Sequence, residues 1–545
     1  MKVSLLLGVP LASLIITPEF SMDPINVPKA FILQLVGVLS LAFLLGNFRQ
    51  LILNPYKKAA IIGFVFLLFL FSTFFLSGAP KLQQVFGAGG RNTGLLTYIA
   101  LVFLLLSAML ISKQDSIRVF VSAILAVGSL NIIYGLIQAA GQDPIKWSNP
   151  YSHVIGFLGN PNFSSSIIGL SCVVPTALIL HNGISKWIKI SLFAYELIAL
   201  YVILKTQSIQ GFVVFGLTSS LIILIAIYKS DKIKNYLVAI YAGLITVFGI
   251  IAVFGMVNIG PLSNYLYKIS VRQRGYYWNA GIEMLKNNPL IGVGLDSFGD
   301  WYWAVRSAPA ALNSLTANTN SAHNVYIDIA ATGGFPLLAA YIAMNGLILF
   351  KGITNLRNSK KFDPYYSTIF VVWIGYQAQS FISINQIGLA VWGWLFGGLV
   401  IGYSTISDST PTNLQPRKNK KGKNSDFVFI PEFLIVILGA TIVIPPFIAD
   451  HNFLSAVNSR SGETVLKATR QYPISINRNF TAAQLFQNSK MNDQAISLAE
   501  ANIEINPRDF NSWRMIAILT PVDSTKHVNA VSQMRILNPR DKSIK

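Results

Sequence analysis

The chain has 545 residues, of which 53% are hydrophobic and 12% charged, with a mean hydropathy of +0.53. Soluble domains carry about twice that share of charge, so the composition excludes a soluble protein and places the chain in a bilayer. Lys and Arg number 42 against 22 Asp and Glu, a formal net charge of +20, which would suit nucleic acid or an anionic surface unless the positions of the charges say otherwise.

Apolar runs of near-spanning length fall at 3–17, 29–46, 59–77, 95–112, 119–140, 163–181, 188–204, 211–228, 236–257, 325–350, 366–382, 388–404 and 427–447. About 20 residues cross a bilayer as a helix. If the chain starts inside, every even-numbered connection is cytoplasmic, and those connections are the basic ones. They hold Arg49, Lys57 and Lys58; Lys113 and Arg118; Lys186 and Lys189; Lys229, Lys232 and Lys234; Lys351, Arg357, Lys360 and Lys361; and Arg417, Lys418, Lys420, Lys421 and Lys423. All six agree with the positive-inside bias. Most of the +20 is therefore topology, and nucleic acid is not an expected partner. Residues 1–18 lack a small-residue cleavage site and are kept as the first span. The expected fold is all-α, a polytopic transmembrane helix bundle of about 12–13 spans. Transmembrane helices at 1–257 lead to a large extracytoplasmic loop at 258–324, then helices at 325–404. A basic cytoplasmic linker at 405–426, a last span at 427–447 and an extracytoplasmic tail at 448–545 follow.

In chain order, the outer loop at 78–92 carries GAGGR, whose Arg91 reads either as an interfacial anchor or as a phosphate contact. The next outer loop ends in GFLGNPNFSSS at 156–166, where Pro161 suits the first turn of a helix and Asn160 and Asn162 place amides at the membrane edge. An Asn-Pro-Asn capping turn accounts for it fully. His153 reads as a surface residue, Cys172 as a packing residue inside a span, and TQSIQG at 206–211 as a helix cap.

The stretch 270–336 is the one long polar interruption. It gathers Arg272, Arg274, Arg306 and His323 with Trp278, Trp301 and Trp303, and is taken as the working site. Trp278, Ile282 and Leu285 recur at helical spacing, which predicts an amphipathic helix over 275–288 lying on the membrane surface and stopped by Asn287, Asn288 and Pro289. The GVG at 292–294 lacks the third glycine of a dinucleotide fingerprint and reads as a turn that lets backbone pass closely. Arg272 and Arg274 have the planar fork that matches phosphate oxygens, whether of a bound lipid-linked phosphate or of anionic headgroups. His323, at the mouth of the following span, suits proton transfer near such a phosphate. No second His, Cys or carboxylate stands at metal-ligand spacing from His153, which is therefore not read as a metal ligand.

In the tail, YPISINRNF, NPRDFNSW and NPRDKSI place Pro473, Pro507 and Pro539 at intervals of 34 and 32. That period predicts one to two tetratricopeptide-like helix pairs packed on the membrane domain.

Arg274 with Trp278, then NPLIGVGLDSF, then SAHNVYIDIAATGGFPLL, in a large outer loop late in a polytopic chain, resembles the O-antigen ligase and polymerase superfamily. GAGGR, GNPN and GYQAQSFISINQIG at 375–388 resemble its other recurring pieces, over roughly 1–405. The resemblance implies a metal-independent glycosyltransferase that moves a glycan from an undecaprenyl diphosphate carrier to an acceptor on the outer face of a bacterial inner membrane. It implies diphosphate binding by Arg272 or Arg274 and an orienting or deprotonating His323, with Asn324, Trp278, Asn160 and Asn162 in support. Many members carry an arginine after the serine of the segment resembling TQSIQG. Ile209 and Gln210 stand there instead, so that contact is absent or comes from Arg91. The acceptor stays open among lipid, polysaccharide and protein, that is, ligase, polymerase or protein O-oligosaccharyltransferase, with membrane lipids and a protein bound by the tail as further partners. A transporter or flippase of lipid-linked glycan would place ionisable residues along the spans, and a mere anchor for the tail would not need so many.

Overall fold

A computed structural model of the chain describes residues 1–147, 152–313, 318–407 and 430–544. The described residues form helices and no strand. In order these are α1 (Lys2–Leu14), α2 (Asn26–Gly46), α3 (Phe48–Leu51), α4 (Lys57–Leu76), α5 (Lys81–Phe86), α6 (Leu95–Leu110), α7 (Gln114–Ala139), α8 (Pro161–Ser171), α9 (Val173–Ile179), α10 (Lys186–Lys205), α11 (Ile209–Tyr228) and α12 (Asn235–Met256). The loop adds α13 (Ser263–Leu266), α14 (Ile269–Asn287), α15 (Phe298–Val305) and α16 (Ala308–Asn313). After it come α17 (Val325–Asn358), α18 (Pro364–Ser380), α19 (Ile387–Ser407) and α20 (Ile430–Asn458), and the tail is α21 (Gly462–Thr469), α22 (Ile476–Asn488), α23 (Asn492–Ile505), α24 (Phe510–Leu519) and α25 (Thr525–Leu537).

Every expected span is helical over most of its described residues. Among the described residues nine helices are long and apolar enough to cross a membrane, α8 and α9 counting as one, and α1, α6 and the Ile387–Tyr403 part of α19 are shorter apolar stretches. The span expected at 366–382 is α18, which is 17 residues long and buried along most of its length. It starts sharply because Asp363 accepts from the backbone N–H groups of Tyr365 and Tyr366 and Pro364 occupies the first turn. The linker expected at 405–426 lies outside the described residues from 408 onward.

The connections after odd-numbered spans meet at one end of the bundle. Asp23 N–H donates to Asp450 Oδ2 at 3.2 Å, Arg91 Nε to Asn320 Oδ1 at 2.6 Å, Ser208 Oγ to Asn162 Oδ1 at 2.7 Å and Gln210 Nε2 to the Ile382 carbonyl at 3.2 Å. Basic connections meet at the other end, where Lys229 Nζ donates to the Ser359 carbonyl at 2.7 Å. Two cores follow this division. One runs through the bundle around Leu101, Phe120, Leu170, Trp392 and Phe396. The second joins Met284, Phe298, Tyr302 and Trp303 of the loop to Phe453, Phe486, Phe510 and Met534 of the tail.

The loop helix differs from its sequence pattern. α14 begins at Ile269, and the face it buries carries Arg274, Ala280, Gly281 and Met284, while Ile282 is exposed. The small pair Ala280 and Gly281 lets α14 approach α17, where Ile327 sits against Gly281. Close packing of small residues thus overrides the hydropathy stripe.

The span expected at 325–350 is broken. α17 changes direction at Gly334, whose φ is +78°, because Pro336 has no N–H for the Thr332 carbonyl. The chain of 289–294 repairs the break. Val293 and Gly294 donate to the carbonyls of Ala331 and Thr332 at 2.9 and 3.0 Å, and Phe335 N–H donates to the Pro289 carbonyl at 2.7 Å. A Cβ on Gly334 would lie 2.5 Å from the Leu290 carbonyl, and one on Gly292 would lie 2.4 Å from that of Thr332. The GVG is therefore the close backbone passage its glycines suggest. Gly334→Ala should cost roughly 1–3 kcal/mol in backbone strain alone, lowering the thermal midpoint of the detergent-solubilised protein. Gly346→Ala, mid-helix with open space around it, should not lower it.

Candidate functional site

Three segments far apart in sequence converge above the break in α17. The first is the turn 87–94, between α5 and α6, which carries Arg91. Its shape is held by Asp296, whose carboxylate accepts from Ala88 N–H at 2.7 Å, Thr93 N–H at 3.1 Å and Thr93 Oγ1 at 3.0 Å. Burial pushes the Asp296 pKa up, and these hydrogen bonds and the Arg91 charge oppose that rise. Burial likewise lowers the Arg91 pKa, against the pull of Asp328 and Asp296.

The second segment is α14. Residues 272 and 274 point to opposite sides of a helix; Arg274 is buried at 9% exposure and Arg272 is exposed. Arg274 makes no hydrogen bond or ion pair with a described residue, and burial lowers its pKa. One turn on, the Trp278 Nε1 is buried and has no partner among the described residues.

The third is the approach to α17. His323 has a φ of +53°, a left-handed conformation uncommon for a side chain of this size, and its N–H donates to Ser321 Oγ at 3.1 Å. Its ring lies 5.4 Å from that of Tyr277. Burial, reinforced by the positive charges of Arg91 and Arg274, pushes its pKa down to about 3. Neutral imidazole is thus the form held between two arginines. Asn92 and Asp296 are also left-handed, with φ of +58° and +54°, so backbone strain concentrates around this point.

Other expected site residues take structural places. Asn324 caps α17 by accepting from Tyr326 and Ile327 N–H, and Asn160 caps α8 by accepting from Asn162 N–H. Asn162 receives the Ser208 hydroxyl, so GNPN and TQSIQG form one knot. Arg306 is fully buried away from the arginine pair, where its Nη2 donates to Asn538 Oδ1 at 3.0 Å and its carbonyl accepts from Arg540. Trp301 lies under the Arg508 guanidinium at 3.6 Å, and Trp303 packs edge-on against Phe510 at 4.3 Å. These three belong to the loop–tail interface. Among the described residues no group of three or more His, Cys, Asp or Glu could hold a metal.

Residues 194–342, from α10 through the loop to the first turns after the Gly334 break, match the family model described as O-antigen ligase. Over that stretch, about a quarter of its length, the chain is similar to O-antigen ligases. That family consists of membrane glycosyltransferases of the ligase and polymerase type. No curated protein matches the chain. Arg272, Arg274, Trp278, Asp296, His323 and Asn324 fall inside the O-antigen ligase match; Arg91, Asn160, Asn162 and the tail lie outside it.

Asp296, Asn320 and Tyr277 complete the site without having been singled out in the sequence. Asp296 had one visible signal, as the sole acid in the apolar run NPLIGVGLDSF. Asp296→Ala leaves three donors without their acceptor. It should speed hydrogen exchange at the amides of 88 and 93 by more than tenfold, for a loss of roughly 1–3 kcal/mol per unsatisfied buried group, measured by exchange mass spectrometry over 87–94.

Proposed function

We propose that this protein transfers a glycan from undecaprenyl diphosphate to an acceptor at the outer face of a bacterial inner membrane, where the loop and the tail would both lie. The observation that carries this reading is Arg274, a buried guanidinium without an anionic partner among the described residues, placed with Arg91 beside a neutral His323. A buried unpaired charge is costly, and a diphosphate supplies the counter-charge in the forked geometry that arginine matches.

In the proposed reaction the acceptor oxygen attacks the anomeric carbon of the carrier-linked sugar. The bond from that carbon to the phosphate oxygen breaks, and the acceptor proton passes to His323. The departing diphosphate gains negative charge, which Arg274 and Arg91 stabilise, so fixed cations do the work a divalent ion does in other transferases. The diphosphate also tunes the histidine. Its charge offsets the two arginines, leaving burial as the main depressing influence, so His323 becomes a better base once the donor is bound. The tail would act as a tetratricopeptide-like platform for an acceptor or an assembly partner, and the acceptor identifies the subtype among ligase, polymerase and protein transferase.

The test is release of undecaprenyl diphosphate by purified protein in proteoliposomes with chelator present, together with the identity of the molecule that gains sugar. Arg274→Ala should lower kcat by about 100-fold or more with the protein still folded, Arg274→Lys should recover part of it, and Arg272→Ala should change it little. Full activity in Arg274→Ala removes the assignment. The pH dependence has a definite sign. Because the free-enzyme pKa of His323 is depressed, its basic form persists as pH falls through the ordinary histidine range and is lost only towards about 3. The profile of kcat/KM should therefore show no limb near the ordinary value of about 6.5, while the limb in kcat should lie higher than that in kcat/KM.

A further inference from the structure

A second polar site lies at the same end of the bundle. An open cleft of about 760 Å³ is formed by the end of α7, residues 141–147 and 152–154, and the end of α10. Its aromatic wall is Trp147, whose Nε1 donates to the Tyr134 hydroxyl at 2.9 Å. That hydroxyl in turn bonds Asp143 Oδ1 at 3.0 Å, and the Tyr134 ring packs on Phe157 at 4.7 Å. The indole is thereby held as a fixed platform. Asp143 is the one carboxylate among the described lining residues, and its oxygens accept from the Tyr134 hydroxyl, from Gln138 Nε2 at 2.7 Å and from Ile145 N–H at 2.9 Å. Lys146 and Lys205 outnumber that carboxylate and leave the cleft a net positive charge, and the exposed side chains of His153 and Gln207 add hydrogen-bonding groups. Gln207 directly precedes Ser208, which is bonded to Asn162, so the cleft adjoins the knot of GNPN and TQSIQG.

We infer that this cleft binds an acidic oligosaccharide, one bearing carboxylate or phosphate groups, as a holding site for part of the glycan that the protein handles. A rigid aromatic face suits the apolar face of a sugar ring, amides and imidazole suit hydroxyls, and separated lysines suit repeated acidic groups. A lipid headgroup would use the charge but not the fixed platform, and the volume takes several sugar rings where a headgroup needs far less. The choice of a glycan as ligand rests on the transferase reading; the binding itself does not require transfer.

The test titrates the full-length protein in neutral detergent with tetragalacturonate and with uncharged maltotetraose, by calorimetry. Binding of the acidic saccharide is expected, weakened by salt, undiminished in Arg274→Ala, and roughly five- to tenfold weaker in Lys146→Ala/Lys205→Ala, whose side chains are exposed. Equal binding of the neutral saccharide, unchanged binding in the double variant, or none at all in the wild type overturns the inference. Displacement by phosphatidylglycerol in mixed micelles, at concentrations where phosphatidylcholine has no effect, reassigns the cleft to headgroups. Saccharide binding without undecaprenyl diphosphate release would remove the transferase reading and leave the cleft. Release with no saccharide binding would do the reverse.

Discussion

The Asp296 carboxylate is the constraint on which the geometry of the site depends. It is buried, and it holds Ala88 and Thr93 on either side of Arg91. The same short segment, through Val293 and Gly294, supplies the hydrogen bonds that the break in α17 leaves open. One end of the segment fixes the arginine turn and the other fixes the helix that begins just after His323. Arginine and histidine are thus referenced to one piece of backbone instead of to two mobile loops. Such pre-organisation is what electrostatic stabilisation of a departing anion requires, since donors that must reorganise at the moment of reaction lose most of their effect.

The second support comes from the tail. Trp303 and Phe298 share a core with Phe510 and Met534, and Arg508 lies over Trp301 while its Nε donates to the Asp300 carbonyl at 3.2 Å. Asp300 Oδ2 accepts from Gln83 of α5 at 2.9 Å, just before the arginine turn. Burial raises the Asp300 pKa to about 6 despite that hydrogen bond. A continuous set of contacts therefore runs from α24 through α15 to α5. The tail therefore supports, through α15 and α5, the turn that carries Arg91, whatever else its outer surface engages. Within the tail, α22 and α24 begin at Ile476 and Phe510, and α23 and α25 at Asn492 and Thr525, the spacing that the prolines suggest.

What the sequence made legible follows from range. Spans are written locally, in runs of apolar residues bounded by lysine and arginine, and all of them appear as helices. Caps are local too, and Asn160, Ser208 and Asp363 sit where capping residues belong. Long-range choices were not legible. Arg306 has the same chemistry as Arg274 and lies nearer His323 in the chain, yet its partner is Asn538, 232 residues away. The buried face of α14 was misread because Ala280 and Gly281 score as weakly apolar, while their value lies in the small space they take. The span at 325–350 read as continuous because hydropathy does not register that Gly334 and Pro336 leave carbonyls to be satisfied from elsewhere. The nearness of Arg91 to His323 was not legible either, since nothing local brings residues 232 positions apart together.

The shared core of loop and tail also orders the making of the protein. The loop is synthesised well before residues 478–540, so a chain that has just inserted α17 presents Trp303, Phe298 and the Arg306 guanidinium without Phe510, Met534 or Asn538 to cover them. Such exposed apolar surface attracts chaperones and misassembly. It also means that α15 gains its support late, after α20 has carried the following segment to the loop's end of the bundle. A nascent or truncated chain could thus be inserted, helical and correctly threaded while the turn that carries Arg91 still lacked its support.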